Sequence, residues 1–140
     1  MNSWGLKDLS IKEKIYRCIF WVGYIMVIIA AFVPLKRDLH KITLNIVSFK
    51  FHLDQVLHAV VYFLICLYFL SGQALKLKLF KNRSFFKFLI VILLLATITE
   101  AVQLVVPLRA FNIFDWLANV IGICIGVGVI WTMRRMGTRY

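Results

Sequence analysis

The chain has 140 residues, of which 62% are hydrophobic and 16% charged, and its mean hydropathy is +0.87. Soluble domains are typically about 45–50% apolar, so the composition excludes an ordinary soluble enzyme. The net charge of +11 could indicate nucleic-acid binding, but the basic residues lie mostly at the ends of apolar runs and form no stripe with interleaved aromatics, which argues against nucleic acid as a partner.

Four apolar runs each approach the ~20 residues that a helix needs to cross a bilayer. They cover roughly Ile15–Val33, Asp54–Ser71, Phe85–Val105 and Phe114–Met133. The first run is too long for a cleavable signal peptide, and no small-residue cleavage site follows it, so we expect it to remain as a helix. Little sequence lies outside the runs. We therefore predict an all-α fold, in which residues 1–140 form one membrane domain with a bundle of four transmembrane helices.

The distribution of lysine and arginine predicts the orientation of the bundle. The N-terminal segment, the second connection and the C-terminal tail hold 12 of the 17 basic residues, and the first and third connections hold the other five. By the positive-inside rule both termini lie in the cytoplasm. The stretch Ile42–Leu53, in the first outer connection, alternates imperfectly between apolar and polar residues, which predicts a short extended or interface-lying segment.

The second helix carries a polar stripe near its outer end. Asp54, His58 and Tyr62 are spaced four apart and so share one helix face. Ionisable groups inside lipid cost about 2.5 kcal/mol or more at the bilayer centre, so they usually mark a site or a structural pairing. Asp54 could orient the His58 imidazole, as a carboxylate does for a general base, or it could cap the helix N-terminus. His58 could equally be a hydrogen-bonded structural histidine.

The third helix ends with Glu100 and Gln103, which are three apart and share a face. A buried glutamate must be protonated, paired or metal-bound. Arg109, in the short outer loop after Pro107, is the natural partner of Glu100 or Asp115. This arginine forms either a structural ion pair or a site for an anionic group such as phosphate, which suits its planar guanidinium.

The fourth helix begins with a stripe of four residues, Asp115, Asn119, Gly122 and Gly126. Its outer part is polar: Asp115 suits the helix N-cap, and the deeper Asn119 amide needs partners across the bundle. Gly122 and Gly126 form a GxxxG pair, which we interpret as a helix-packing surface.

These motifs together resemble the VanZ-like family of small bacterial membrane proteins. The resemblance rests on the patterns Asp54-x-x-x-His58-x-x-x-Tyr62, Glu100-x-x-Gln103, Pro107-x-Arg109 and Asp115-x-x-x-Asn119-x-x-Gly122-x-x-x-Gly126. It implies a multi-pass protein of the bacterial cytoplasmic membrane. The family is named for a member linked to low-level resistance to the glycopeptide teicoplanin.

Three interpretations of the outer-face residues stay open. In the first, the cluster acts on a lipid or lipid-linked envelope intermediate by hydrolysis or group transfer. The second is a pocket that binds a lipid headgroup or teicoplanin without turnover, and the third is a purely structural set of caps and ion pairs. Transport is not favoured, because four short helices would need to oligomerise to form a pathway.

The first interpretation assigns each residue a role. His58 is the acid or base and Asp54 orients it, while Glu100 and Asp115 are further acid/base groups or ligands of a divalent cation. The predicted substrate-binding residues are Arg109, Gln103, Asn119 and Tyr62. No strong nucleophile motif occurs in the sequence, so covalent catalysis is not expected.

Overall fold

The structure is a computed structural model that describes residues 3–32, 43–46, 49–106 and 112–137, with side chains over 11–32, 52–106 and 112–135. Its elements in chain order are α1 (Ser3–Phe32), β1 (Thr43–Ile46), β2 (Phe49–His52), α2 (Leu53–Ala74), α3 (Ser84–Gln103) and α4 (Ile113–Gly137). Each helix contains a span of 20 to 23 residues that is long and apolar enough to cross a bilayer. The predicted bundle of four membrane-spanning helices is therefore confirmed.

Two helices extend beyond their apolar runs. α1 begins at Ser3 rather than at the predicted Ile15, because the preceding segment contains good helix formers and no proline to stop it. α4 continues past Met133 through two arginines in its last turn, where positive charge is favourable next to the helix C-terminus.

The extended segment predicted before α2 is a two-stranded antiparallel hairpin. Thr43 pairs with His52 and Ile46 pairs with Phe49, and these β-branched and aromatic residues favour strands. The second strand leads directly into α2. Here the His52 backbone N–H donates to Oε1 of Gln55 at 3.3 Å, which satisfies a donor that the start of a helix leaves open.

Glycines set the closest helix pair, α2 with α4. A Cβ atom at Gly122 would overlap the backbone carbonyl of Ala59, and one at Gly126 would overlap the Cys66 side chain. Residues without a side chain let two helix backbones approach closely, and in a membrane this packing takes the place of a hydrophobic driving force. The contact between Gly122 and Ala59 lies one residue from His58.

Aromatic side chains join α1 to α2 and α3. Phe88 of α3 stacks on Phe69 with ring centroids 4.1 Å apart and lies 6.2 Å from Phe20 of α1. Tyr16 stacks on Tyr68 at 4.9 Å, and the Tyr68 hydroxyl donates to the Tyr16 carbonyl at 2.8 Å. These rings form the apolar core of the bundle.

Three residues form a clamp at the end of the bundle that contains the α2–α3 connection. We call this the basic end, because the connection includes Lys76, Lys78, Lys81 and Arg83. Arg17 donates through Nε to the Lys78 carbonyl at 2.9 Å, and Oε1 of Glu13 accepts the Lys78 backbone N–H at 3.1 Å. Glu13 and Arg17 also form an ion pair at 3.2 Å. α1 is thereby fastened to the α2–α3 connection.

Large apolar side chains cover the outer faces of the helices. Ile25, Leu64, Leu94 and Ile121 are each about half exposed. An apolar surface of this extent is typical of a protein that contacts lipid rather than water. The chain is thus a multi-pass membrane protein.

Candidate functional site

Polar side chains converge at the end of the bundle opposite the basic end. In the described part of the chain, the buried polar or charged residues are Asp54, Thr99, Glu100, Gln103, Asp115 and Asn119. They lie in the first turns of α2 and α4 and the last turns of α3, which adjoin because these helices alternate in direction. All but Thr99 were singled out in the sequence as site residues.

A chain of hydrogen bonds joins α3, α4 and α2 inside this cluster. The Asn119 amide nitrogen donates to Oε1 of Glu100 at 3.0 Å, and Oδ1 of Asn119 lies 3.0 Å from Nδ1 of His58. Oε1 of Glu100 is also 3.7 Å from Nδ1 of His58. The Glu100 side chain is fully buried, so the amide and the imidazole offset part of the cost of desolvating its carboxylate.

This arrangement fixes the tautomer of His58. The Asn119 amide nitrogen can only donate, and it is used by Glu100, so the amide oxygen faces the ring and accepts a hydrogen bond from it. Nδ1 of His58 therefore carries a hydrogen, and in the neutral ring Nε2 carries the lone pair. The contacts of Nδ1 come from Asn119 and Glu100 on two other helices, while the orienting role of Asp54 stays a prediction.

His58 stands at the wall of a cavity of about 210 Å³ between α1, α2 and α3. Its side chain is 24% exposed, so a molecule in the cavity can reach the ring. With Nδ1 engaged by Asn119, the ring nitrogen left for such a molecule is Nε2. The wall is formed by polar residues (Asp54, His58, Tyr62, Thr99, Gln103) and apolar ones (Val27, Ala30, Ala31, Leu57, Val61).

Tyr62, one helical turn after His58 on α2, is held by a hydrogen bond to α3. Its hydroxyl lies 2.9 Å from Oγ1 of Thr99, and Thr99 also lies 3.0 Å from the Leu95 carbonyl. A threonine hydroxyl has one hydrogen, which goes to the carbonyl, so Tyr62 is the donor in the pair. Thr99 thus bonds to its own helix and also holds the tyrosine.

Gln103 presents its amide to the cavity. The side chain is buried and lines the wall next to Asp54. Among the described residues, no hydrogen bond to this amide occurs. An amide carries both donors and an acceptor, and it can therefore bind a hydroxyl, a carbonyl or an oxyanion of an occupant.

Asp115 has a local partner at the start of α4. Asn112, not Asp115, is the N-cap: its Oδ1 accepts the Phe114 backbone N–H at 3.1 Å, and its amide donates to Oδ1 of Asp115 at 3.0 Å. The cap predicted at Asp115 is displaced by three residues, because both positions carry short polar side chains of the kind that cap helices. Asp54 is likewise the second residue of α2 rather than its cap, since His52 precedes the helix.

Two further predictions concern charge and metal. Arg109 lies outside the described residues, so its pairing with Glu100 or Asp115 stays a prediction. Within the described ranges, no group of three or more histidine, cysteine or acidic side chains is placed to hold a metal ion. The described part of the cluster thus presents acid/base and hydrogen-bonding groups to the cavity.

The chain matches one known protein family. The family model described as VanZ/LLP1 matches residues 15–134, which is most of the chain. Neither the curated proteins nor the solved structures give a match.

Proposed function

Because the chain belongs to the VanZ-like family of membrane proteins, we propose that it acts on the polar part of a lipid or lipid-linked intermediate of the bacterial cell envelope. The observation that carries this proposal is the bonded series Glu100–Asn119–His58, which runs from a buried carboxylate to the wall of a cavity among membrane-spanning helices. Clefts with convergent polar groups are the usual places for binding and chemistry. A purely structural histidine could make the same hydrogen bonds, but it would not need to stand at the wall of a cavity.

His58 is the proposed general base and acid. Nε2 accepts a proton from water or from a hydroxyl of the occupant, and the resulting imidazolium is stabilised by the Glu100 carboxylate 3.7 Å from Nδ1. The same ring then returns the proton to the leaving group. A carboxylate that supports an imidazole through its second nitrogen follows the logic of hydrolytic triads, with Asn119 as the link here.

The remaining polar residues of the wall are proposed to bind the substrate. Gln103 and Asp54 offer polar groups on the same cavity wall as His58, and Tyr62 lines the cavity one helical turn farther along α2. Arg109 keeps its predicted role as the group that binds a phosphate or another anion. These assignments fit hydrolysis or group transfer at a polar headgroup, without a covalent intermediate.

The cavity faces the outer leaflet of the cytoplasmic membrane in this proposal, because the positive-inside rule puts the basic end of the bundle in the cytoplasm. The substrate would therefore be an envelope lipid that is exposed on the outer side. Low-level resistance to teicoplanin would follow if that substrate contributed to the access or the target of the antibiotic.

The test compares two histidine variants of the full chain in a bacterial host. We expect the wild type to change the abundance of at least one lipid or lipid-linked species by mass spectrometry, and His58→Ala to lower this conversion by about a hundredfold or more, the usual contribution of an acid–base group. His52→Ala is the matched control, because His52 is exposed and does not line the cavity; it should retain activity.

Membrane abundance and teicoplanin susceptibility are measured in the same cells. Full conversion by His58→Ala at equal abundance, or no altered lipid species with the wild type, would refute the proposal.

The apolar part of the cavity wall favours a second candidate function, in which the pocket retains a lipid or the acyl chain of teicoplanin without turnover. In that case the purified chain binds the ligand saturably, no product forms, and His58→Ala weakens binding only modestly.

A further inference from the structure

A second cavity continues the first one into the apolar part of the bundle. It has a volume of about 190 Å³ and lies between the same three helices, α1, α2 and α3. Val27 lines both cavities, so the two adjoin at this residue, and we treat them as the outer and inner segments of one crevice. The second segment is lined by Phe20, Gly23, Tyr24, Ile65 and Leu95, among others.

The crevice runs along the length of the helices. On α2 its lining extends from Asp54 to Tyr68, which corresponds to roughly 21 Å at about 1.5 Å per residue. One leaflet of a bilayer with a hydrocarbon core of ~30 Å is about 15 Å deep. The crevice is therefore long enough to accompany an acyl chain through a whole leaflet.

The crevice is polar at its outer end and apolar at its inner end, as a lipid is polar at its headgroup and apolar along its acyl chain. Its outer end contains the carboxylate, imidazole and amide of Asp54, His58 and Gln103, whereas its inner segment is lined by aliphatic and aromatic side chains. Each segment is smaller than the ~300 Å³ at which small-molecule pockets usually begin. Two segments of this size in series suit one extended hydrocarbon chain better than a compact ligand.

We propose that this crevice holds a single unbranched acyl chain of the ligand, with the polar head at His58 and the methyl end in the inner segment, past Gly23. The assignment of the head end rests on the proposed function above. The inference adds the class of ligand, an amphiphile that inserts one acyl chain, and a residue that sets the preferred chain length.

Gly23 is the position at which the length of the crevice can be changed. A Cβ atom built there meets no atom within 4 Å, and Gly23 lines the inner segment, so a larger side chain has open space at this point of the crevice. Gly128 on α4 offers the matched control, because its Cβ would also meet nothing within 4 Å and it lines neither cavity. Gly23→Leu and Gly128→Leu thus add the same side chain to two helices, and only the first shortens the crevice.

The experiment uses the purified full chain in nanodiscs and single-chain phosphatidylglycerols that carry a photoreactive diazirine at the methyl end. Lauroyl, myristoyl, palmitoyl and stearoyl probes are compared, and cross-linked peptides are identified by mass spectrometry. For the wild type we expect the longer probes to label residues of the inner segment, such as Tyr24 and Ile65.

Gly23→Leu should reduce labelling by the palmitoyl probe about tenfold relative to the lauroyl probe, the loss expected when about two methylene groups can no longer be buried. Gly128→Leu should leave the wild-type ratio unchanged. An unaltered ratio in Gly23→Leu, or labelling confined to lipid-facing residues such as Ile125, would overturn the inference, as would stronger inner labelling by a prenyl probe than by any acyl probe.

Activity of the same variants separates this inference from the proposed function. If His58→Ala retains conversion while Gly23→Leu shifts the chain-length profile, the acyl crevice stands and the catalytic proposal fails. If His58→Ala loses conversion while Gly23→Leu leaves the chain-length profile unchanged, the catalytic proposal stands and the acyl crevice fails.

Discussion

At the scale of single residues, the central feature is that His58 is positioned by side chains from two other helices. Asn119 uses its donor for Glu100 and its acceptor for His58. It therefore acts as a positioning residue, since its effect on a substrate would pass through the imidazole. Removal of the amide would free the ring to adopt either tautomer and would leave Glu100 without this donor.

Asn119→Ala should consequently weaken both stability and turnover. We expect the free energy of unfolding to fall by about 1 kcal/mol, because two interhelical hydrogen bonds of about 0.6 kcal/mol each are lost, measured by SDS titration of the purified chain. Thr132→Ala is the control, because the exposed Thr132 hydroxyl donates within its own helix, to the Val129 carbonyl. Equal stability of the two variants would contradict the role of the Asn119 amide.

Glu100→Gln separates charge from hydrogen bonding at the same site. The glutamine oxygen can still accept the Asn119 amide proton, so the chain should accumulate normally. The negative charge beside the imidazole is lost, so kcat should fall by about tenfold or more while KM changes little, as expected for an interaction that strengthens in the transition state. A wild-type kcat would show that the carboxylate is structural.

The sequence predicted which side chains meet at this scale, but not how they pair. Spacing of three or four residues identified the faces with Asp54, His58 and Glu100, because helical periodicity is a local property. The His58–Asn119 bond depends on the rotation of two helices about their axes and on one rotamer each, which no spacing within a helix contains. The caps were misassigned for a related reason, since Asn112 and Asp115 offer similar chemistry one turn apart.

At the scale of helices, the α2–α4 pair forms the frame of the site. The Gly122–Ala59 contact lies one residue from His58 and three from Asn119. The distance between the imidazole and the amide is therefore controlled by a backbone contact. Hydrogen bonds between helices in membranes contribute little on their own, typically about 0.6 kcal/mol, so this packing rather than the bond holds the geometry.

The substitution Gly122→Ala tests whether the glycine contact sets the spacing of α2 and α4. The new methyl group would overlap the Ala59 carbonyl and force the helices apart, and overpacking of this kind costs about 1–3 kcal/mol. Conversion of the lipid substrate should fall together with the stability of the bundle. Gly128→Ala provides the comparison, because its Cβ meets no neighbouring atom, and it should behave as the wild type in SDS titration. If both variants unfold alike, the glycine contact does not determine helix packing.

The contribution of α1 could not be predicted from the sequence. Val27, Ala30 and Ala31 line the cavity, yet in an apolar run they look like any residues that face lipid. Hydropathy identifies the run as a span but does not distinguish lipid contact from contact with a crevice. The four helices themselves were predictable for the opposite reason: their length and composition alone suffice.

At the scale of the whole molecule, the orientation in the membrane remains a prediction. It can be tested with single cysteines in a background in which Cys18, Cys66 and Cys124 are replaced. Val105 and Lys81 are both exposed and lie just beyond opposite ends of α3. A membrane-impermeant maleimide added to intact cells should label Val105→Cys and spare Lys81→Cys; the inverse pattern would reverse the topology and move the cavity to the cytoplasmic leaflet.

The clamp at the basic end has a consequence for sequence variation. Glu13 and Arg17 bind the N–H and the carbonyl of Lys78, which are main-chain groups that nearly every amino acid supplies. The identity of residue 78 is therefore uncoupled from the attachment of α1: substitutions there leave the clamp intact, whereas Glu13 and Arg17 are constrained as a pair. The α2–α3 connection can gain or lose positive charge over generations without loosening the bundle.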